Sequence, residues 1–297
     1  MVHMKEHTNE TDQVRPPVRE GGPTFAITFG GGGARGLAHI HAIEALDELG
    51  IRPVAISGSS IGAIMGAGMA AGMSGKEIRA YAHEVLASRS ELASRLWRAR
   101  PAKFSEMVGG GFRLGQFNAE RIVKALLPPG LPHTFEELTI PLAVTATDYY
   151  GHSLAVFRSG DLRSALAASA ALPAIFHPVQ RDGMTLIDGG IYNPVPFDLL
   201  EGVADVLIAI DVVGAPTERS AKVPSAIEMM FGATQLMMQS IIALKLQKKH
   251  PDILIRPAVG RYRVLDFLKI DAIMKETAPV KDQLKRAVEA FLDVPAD

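Results

Sequence analysis

The chain has 297 residues, 47% of them hydrophobic, and its 31 basic residues nearly balance its 32 acidic ones. This composition excludes a disordered chain, and the length is ample for one large α/β domain with a buried core. A net charge of −1 provides no global field that would attract nucleic acid. The lack of cysteine excludes disulfides, a thiol nucleophile and cysteine-ligated metals, and it fits the cytosol.

The amino-terminal segment, residues 1–22, is polar and charged and lacks the apolar core of a secretory signal. We predict a disordered extension there and a single catalytic domain over residues 23–297. The uncharged stretch 53–75 is long enough to cross a bilayer, but it contains a turn and several glycines. A buried strand followed by a core helix explains it better. We therefore expect a cytoplasmic protein with no signal peptide or transmembrane helix, able to contact a membrane peripherally.

Hydrophobic periodicity predicts strands and helices that alternate along the chain. The predicted strands cover residues 24–29, 53–57, 141–147, 153–158, 185–187, 204–212 and 252–256. The predicted helices cover residues 35–49, 61–72, 75–88, 118–127, 161–170, 222–249, 264–275 and 279–292. This alternation favours a three-layer α/β/α fold with a mainly parallel central sheet.

A glycine-rich loop, residues 30–36, follows the first predicted strand and opens the first predicted helix. Consecutive residues without side chains let several backbone N–H groups point at one oxygen atom, with the helix dipole behind them. The loop therefore predicts an oxyanion hole formed by Gly31, Gly32 and Gly33, supported by Arg35 and Gly36. For Arg35 three interpretations stay open: a charge near the anion, a clamp for the loop, or a solvated surface residue.

The same loop also matches the spacing of a dinucleotide-binding fingerprint. That fingerprint requires an acidic residue at the end of the second strand, to hold the ribose hydroxyl. Here the second predicted strand ends in Ser57-Gly58. Nucleotide binding is therefore the weaker interpretation.

The pentapeptide 58–62, Gly-Ser-Ser-Ile-Gly, lies between the second predicted strand and a helix. This context places Ser60 on a sharp turn at the head of the helix, where the dipole favours an attacking alkoxide. Gly58 and Gly62 flank a point where side chains would collide. Ser60 is thus the predicted nucleophile.

The third motif is the triplet Asp188-Gly189-Gly190, which follows a hairpin-like segment. Two glycines let the chain turn away tightly, so the carboxylate of Asp188 can project into a cleft. An aspartate before glycine is also a common turn former, and the other two motifs favour the catalytic interpretation.

A catalytic triad is the alternative to a Ser-Asp pair. The order nucleophile, acid, histidine leaves only His250 after Asp188. His250 ends a long helical pattern in a basic segment before Pro251, which is typical of a helix carboxyl terminus. The triad is the weaker hypothesis.

Together these motifs resemble the bacterial patatin-like phospholipases, a family of lipid acyl hydrolases. The resemblance is close over residues 25–213 and looser up to about 292. It is also carried by the small-residue segment Ala168–Pro178 and by the stretch Asn193–Pro196 after the acid.

The resemblance implies that Ser60 is the nucleophile, that Asp188 is its only catalytic partner, and that the Gly31–Gly33 amides bind the oxyanion. It implies no metal and no organic cofactor. The implied substrates are phospholipids, lysophospholipids or other acyl esters, cleaved through an acyl-Ser60 intermediate. A general esterase acting on soluble esters and a non-catalytic lipid- or nucleotide-binding module remain the alternatives.

Two segments are candidates for lipid contact. Residues 95–103 join Trp97 to four basic residues, which suits an anionic headgroup layer but also a solvated helix end. Residues 223–246 are rich in methionine, leucine and isoleucine, which suits lipid contact, a core helix or the interface of a homodimer.

Overall fold

The computed structural model describes residues 22–86, 117–215 and 224–292. The predicted extension, apart from Gly22, and the basic segment around Trp97 lie outside these ranges. The described strands are β1 (Phe25–Phe29), β2 (Ala55–Ser59), β3 (Phe117–Asn118), β4 (Leu142–Asp148), β5 (Ser153–Phe157), β6 (Phe176–His177), β7 (Val179–Arg181), β8 (Met184–Asp188), β9 (Val206–Ile210) and β10 (Ile253–Ile255). The described helices are α1 (His39–Glu48), α2 (Ile61–Ala70), α3 (Gly75–Leu86), α4 (Ala119–Leu126), α5 (Leu162–Ser169), α6 (Ala226–Lys248), α7 (Ile270–Thr277) and α8 (Pro279–Leu292).

Eight of these strands form one sheet, in the order β10-β9-β1-β2-β4-β8-β7, with β5 paired to β4. The pairs from β10 through β4 are parallel, whereas β5, β8 and β7 join antiparallel. The prediction of an α/β fold with a mainly parallel sheet is therefore confirmed.

The two faces of the sheet carry different cores because side chains alternate along each strand. Phe25, Ile27 and Phe29 of β1 belong to the larger hydrophobic cluster, which also contains the buried faces of α1, α2, α5, α7 and α8. Ala26 of β1 points to the other cluster, which is covered by the turn 197–200 and by the carboxyl half of α6. The layer that covers this second face is thus thinner than the helical layer on the first face.

Two predicted helices begin differently from the prediction. The helix predicted from residue 35 starts as a 3-10 helix, Gly33–Ala38, and becomes α-helical at His39. The Ala34 amide in the first turn of this 3-10 helix donates to the distant Val264 carbonyl. The helix predicted over 264–275 is shifted, with a 3-10 turn at Phe267–Lys269 preceding α7.

Helix α6 is unusually apolar and exposed. Within the described ranges, its segment Glu228–Lys248 has the length and composition needed to cross a membrane. Only 11% of its most apolar window is buried, so α6 is not a core helix. Polar side chains nevertheless attach it to the domain: Gln235 donates to the Val213 carbonyl and Gln239 to the Gly214 carbonyl. In this structure α6 is a surface helix of the α/β fold.

Candidate active site

The nucleophile turn joins β2 directly to α2. Ser60 has φ 54° and ψ −126°, a left-handed conformation that is strained for a residue with a side chain. Close packing holds it: a Cβ on Gly62 would lie 2.1 Å from the Phe29 carbonyl oxygen, and one on Gly58 would lie 2.6 Å from Ala63 Cα. The two predicted glycines therefore occupy positions that no larger residue fits.

Strand β4 aligns the serine with the aspartate. Ser59 pairs with Thr145 on β4, and Asp188 pairs with the next residue, Ala146. As a result, Ser60 Oγ donates a hydrogen bond to Asp188 Oδ2 at 2.5 Å, although 128 residues separate them. The structure thus brings the two predicted residues together. Asp188 reaches this point at the end of an antiparallel strand, whereas Ser60 follows a parallel one.

The glycines after the acid hold its carboxylate in place. The Gly190 amide donates to Asp188 Oδ1 at 2.8 Å. A Cβ on Gly189 would lie 2.3 Å from the Thr145 carbonyl oxygen, so the chain passes β4 at backbone contact distance. Thr147 also donates its hydroxyl to the Asp188 carbonyl. Both side-chain oxygens of Asp188 are therefore oriented, one by Ser60 and the other by Gly190.

The environment of Asp188 makes its carboxylate more basic than usual. The side chain is 5% exposed, and burial raises its pKa from 3.8 to about 6, while the hydrogen bonds from Ser60 and Gly190 lower it. A base whose pKa lies closer to neutrality removes an alcohol proton with a smaller thermodynamic penalty. Asp188 still ionises below pH 7.

The three backbone amides of the glycine loop differ in whether they already donate a hydrogen bond within the protein. The Gly31 amide donates to the Pro194 carbonyl at 2.8 Å, so it is already used. Over the described residues, the Gly32 and Gly33 amides have no protein acceptor. Of the three amides predicted to form the oxyanion hole, those of Gly32 and Gly33 are therefore available to a ligand in this conformation, whereas Gly31 ties the loop to the segment that follows the acid.

Side chains are excluded from these two positions. A Cβ on Gly32 would lie 2.5 Å from the Val212 carbonyl oxygen, and one on Gly33 would lie 2.2 Å from that of Val264. Gly33 also has a φ of 60°, which favours glycine. Free backbone donors can therefore occupy this location only if both residues are glycine.

Arg35 is buried beside the same loop and donates a hydrogen bond to it. Its Nε donates to the Gly32 carbonyl at 3.1 Å, and the side chain is 5% exposed. Burial lowers its pKa to about 10, and the nearby Asp211 charge opposes that shift. The surface interpretation of Arg35 is therefore wrong, and the contact fits a loop clamp. Gly36 lets the loop pack on the nucleophile turn, since its Cβ would lie 2.3 Å from Ile61 Cγ2.

Two residues outside the three predicted motifs also fix the geometry of the site. Ser169, fully buried at the end of α5, accepts a hydrogen bond from the Ser60 amide at 2.8 Å. His39 donates from Nε2 to the Gly30 carbonyl at 2.8 Å, and burial lowers its pKa to about 4, so it is neutral at pH 7. The only signal for Ser169 was its place in the small-residue segment Ala168–Pro178.

The histidine of the alternative triad lies elsewhere. His250 is exposed just after α6 and is not among the residues that line the cavity at Ser60. Within the described ranges, the two Asp188 oxygens bond to Ser60 and Gly190. This geometry favours a direct Ser-Asp pair over a triad through His250.

A large apolar cavity of about 970 Å³ opens at Ser60 and Asp188. Its wall is formed by side chains from α2, α3, α4, α6 and the segment 260–267. The apolar lining residues include Leu37, Ile64, Met65, Ile78, Val85, Leu86, Ile122, Leu126, Leu172, Ile175, Phe231, Met238, Val264 and Phe267. Charged groups other than Asp188 are few on this wall: Arg35, Glu228, Arg261 and Arg263. An acyl chain is the kind of ligand that such a wall accommodates.

Metal ligands are not clustered in the part of the chain that the structure describes. No group of three or more histidine, aspartate or glutamate side chains is arranged there to hold a metal ion.

Comparison with known families agrees with this geometry. Residues 27–201 match the family model described as patatin-like phospholipase, a span that includes the glycine loop, Ser60 and Asp188. The chain belongs to the patatin-like phospholipase family.

Similar proteins come from bacteria and animals. An uncharacterized NTE family protein of Mycobacterium tuberculosis is 36% identical over 194 residues, which cover 65% of this chain and 50% of that protein. Human patatin-like phospholipase domain-containing protein 6 is 30% identical over 198 residues, covering 64% of this chain and 13% of that protein. This chain thus matches about half, or much less, of the length of these relatives.

Among solved structures, VipD from Legionella pneumophila is similar at a TM-score of 0.47 and 14% identity. The alignment covers 90% of this chain and 67% of that one.

Proposed function

We propose that this protein is a serine hydrolase that cleaves carboxylic ester bonds of lipids. The main support is the 2.5 Å hydrogen bond from Ser60 Oγ to Asp188 Oδ2 at the wall of an apolar cavity. A hydroxyl, a buried base and two free amides are the parts that acyl transfer through a covalent intermediate requires. Membership of the patatin-like phospholipase family supports the same reaction class.

In the proposed reaction, Ser60 Oγ attacks the ester carbonyl carbon as its proton passes to Asp188 Oδ2. The carbonyl oxygen becomes an oxyanion and accepts hydrogen bonds from the Gly32 and Gly33 amides. The tetrahedral intermediate then breaks its bond to the alcohol oxygen, which takes the proton from Asp188 and leaves. Acyl-Ser60 remains.

Deacylation repeats these steps with water. Asp188 removes a proton from a water molecule, whose oxygen attacks the acyl carbon, and the Gly32 and Gly33 amides again hold the oxyanion. Breakage of the bond to Ser60 releases the fatty acid, and the serine oxygen recovers its proton from Asp188. A single carboxylate therefore acts as base and acid in each half of the cycle.

The size and the apolar wall of the cavity favour a lipid over a short soluble ester as the substrate. Its wall is mostly apolar, and a volume of about 970 Å³ exceeds what a short acyl group needs. We propose phospholipids or lysophospholipids as the substrate class, with no metal or organic cofactor. Incubation with a mixed lipid extract, followed by mass spectrometry of the released products, distinguishes phospholipase A from lysophospholipase activity.

A fluorophosphonate probe tests the proposed nucleophile. An activated serine oxygen attacks the phosphorus of such a probe and displaces fluoride. We therefore expect one adduct, on Ser60, by peptide mass spectrometry. Ser60→Ala should abolish labelling and hydrolysis. The neighbouring Ser59→Ala is the matched control and should keep both, because Ser59 is buried. Labelling of Ser59, or none in folded wild-type protein, would contradict the proposal.

A further inference from the structure

Helix α6 carries an exposed stripe that repeats every seven residues. We call this set of residues the α6 stripe. From residue 226 to 247 its members are Ala226, Met229, Met230, Ala233, Leu236, Met237, Ser240, Ala243, Leu244 and Gln247. The five large apolar members are between 42% and 60% exposed. Contiguous apolar surface of this kind marks an interaction site.

The opposite side of the same helix is fixed to the domain. Ile242 and Leu246 are buried there, Gln235 donates to the Val213 carbonyl, and Lys245 donates to the Val195 carbonyl. The α6 stripe therefore faces outward as a consequence of the fold.

The stripe itself carries no charge. From residue 226 to 247 the charged side chains are Glu228 and Lys245, and each forms an ion pair, with Arg263 and Asp198 respectively. A helix that lies on a membrane surface carries several lysines or arginines on its polar face. The charge pattern of α6 therefore favours a protein partner over a lipid surface.

The spacing favours another helix as that partner. A strict seven-residue repeat drifts by about 20° per repeat around a straight helix, and it faces a second helix continuously when the two helices coil gently around each other. Small residues begin each repeat, at Ala226, Ala233 and Ser240, which lets two backbones approach closely.

We propose that two copies of this chain associate through the α6 stripe, with the two helices antiparallel. A twofold axis beside Leu236 and Met237 makes the stripe complementary to itself. Leu236 then faces Met237 of the second copy, Met230 faces Ala243, and Ala233 faces Ser240. By the same symmetry Met229 faces Leu244. The large side chains thus form two kinds of apolar pair, Leu236 with Met237 and Met229 with Leu244, and Met230 meets a small residue.

The size of the stripe agrees with this arrangement. Two copies contribute ten large, half-exposed apolar side chains, together with the small residues between them. If the exposed surface of these side chains is fully buried in the dimer, the contact area is on the order of 1,000 Å², the lower bound for a specific interface. This inference does not depend on the catalytic assignment.

Sedimentation velocity of the full chain tests the dimer. We expect the wild type to sediment as a dimer at micromolar concentration. Leu236→Glu with Met237→Glu should sediment as a monomer, because four like charges would meet at the axis. The matched control is Tyr149→Glu with Tyr150→Glu, an equally exposed pair in the β4–β5 turn, which should remain dimeric. Circular dichroism checks folding, and Met237→Lys is the milder variant if the double one unfolds.

Two results would overturn the proposal. One is a monomeric wild type, including one that binds vesicles of phosphatidylcholine and phosphatidylglycerol through the same stripe. The other is a dimer that persists in the folded stripe variants.

Disulfide cross-linking tests the orientation, and the chain suits it because it contains no cysteine. Met237→Cys, close to the axis, should form a covalent dimer under mild oxidation. Ala226→Cys should not, because antiparallel helices place the two copies of this position at opposite ends. Mixing Met230→Cys with Ala243→Cys should yield a heterodimer. Efficient cross-linking of Ala226→Cys would refute the antiparallel arrangement.

Discussion

At the scale of single residues, the environment of Asp188 determines whether one carboxylate can serve as base. Burial makes the charged form costly, and the Gly190 amide recovers part of that cost without adding a competing charge. The carboxylate therefore keeps a pKa of about 6 and remains ionised near neutral pH. Its only side-chain partner in the described residues is the hydroxyl of Ser60.

The pKa of Asp188 predicts how activity depends on pH. The base must be ionised, so kcat/KM should fall about tenfold per pH unit below pH 6 and level off above it. An ordinary aspartate would keep activity down to about pH 4. Initial rates on a water-soluble ester between pH 4 and 8 measure this, and a plateau that extends to pH 4 would contradict it.

The same shift predicts a cost in stability. Because the folded-state pKa lies above the ordinary 3.8, the stability contributed by protonated Asp188 is fully present below pH 3.8 and is lost as pH rises through 6. Relative to wild type, Asp188→Asn should gain about 2 kcal/mol of unfolding free energy between pH 4 and pH 7. Denaturant unfolding of both proteins at the two pH values gives this difference. A pH-independent difference would show that burial does not raise the pKa of Asp188.

Asp188→Asn should also remove activity while the protein stays folded. Loss of a general base typically lowers kcat by about 10²- to 10⁴-fold. Asp182→Asn is the control, since Asp182 is exposed in the turn of the same β7–β8 hairpin. Steady-state kinetics at pH 8 compare the two, and wild-type turnover by Asp188→Asn would remove that residue from the mechanism.

At the scale of elements, the ends of β2 and α5 together set the conformation of Ser60. The strained backbone of this residue is held by Gly62 against β1 and by the Ser169 hydroxyl, which accepts its amide proton. This turn is therefore sensitive to changes that leave both reacting groups untouched.

Gly62→Ala should destabilise the protein strongly. The added methyl would lie 2.1 Å from the Phe29 carbonyl oxygen, a backbone atom that cannot move aside. We expect a loss of about 3 kcal/mol of unfolding free energy, at the upper end of overpacking effects. Gly130→Ala is the control, because a Cβ there meets nothing within 4 Å. Equal thermal stability of the two variants would contradict the account of the turn.

Ser169→Ala should affect turnover more than binding. It leaves the partly buried Ser60 amide without its acceptor, which costs about 1 kcal/mol and releases the turn. We expect kcat to fall about tenfold with KM unchanged, and Ser169→Thr to restore it by supplying a hydroxyl. Ser164→Ala, on the same helix, is the control. A change in KM alone would assign Ser169 to the binding wall.

The sequence predicted these elements to different degrees. The strands before Gly30 and Ser60 were predictable because each is a short apolar run that ends in glycine or serine. The pairing of Asp188 with Ser60 followed from motif identity, whereas its route through an antiparallel strand depends on the β4 register and could not be predicted locally. The Gly31 amide donates to the Pro194 carbonyl and the Ser60 amide to the Ser169 hydroxyl, and such long-range hydrogen bonds leave no periodic signal in the chain.

At the scale of the whole molecule, helices from distant parts of the chain share one cavity. Its wall combines α2, which follows the nucleophile, with α3, α4 and α6. No single segment shows this in sequence, because each helix contributes only a few apolar side chains. We therefore expect any preference for acyl-chain length to depend on the assembled layers.

A substitution on α3 should change that preference. Ala82 lines the cavity, so Ala82→Phe should fill part of it. We expect kcat/KM for long-chain p-nitrophenyl esters to fall about tenfold while short-chain esters are hydrolysed as before. Tyr150→Phe, exposed in the β4–β5 turn, is the control. An unchanged chain-length profile would place the acyl chain elsewhere.

The hydrogen bond from the Gly31 amide to the Pro194 carbonyl joins the glycine loop to the segment that follows Asp188. The two segments therefore open together. Any local opening that frees the stretch beyond Gly190 also releases the loop, so the proposed base and the proposed oxyanion donors are lost in the same event. A partly opened molecule would then be inert and unable to attack esters indiscriminately. If the proposed function holds, hydrolysis is in this way confined to molecules whose tertiary structure is complete.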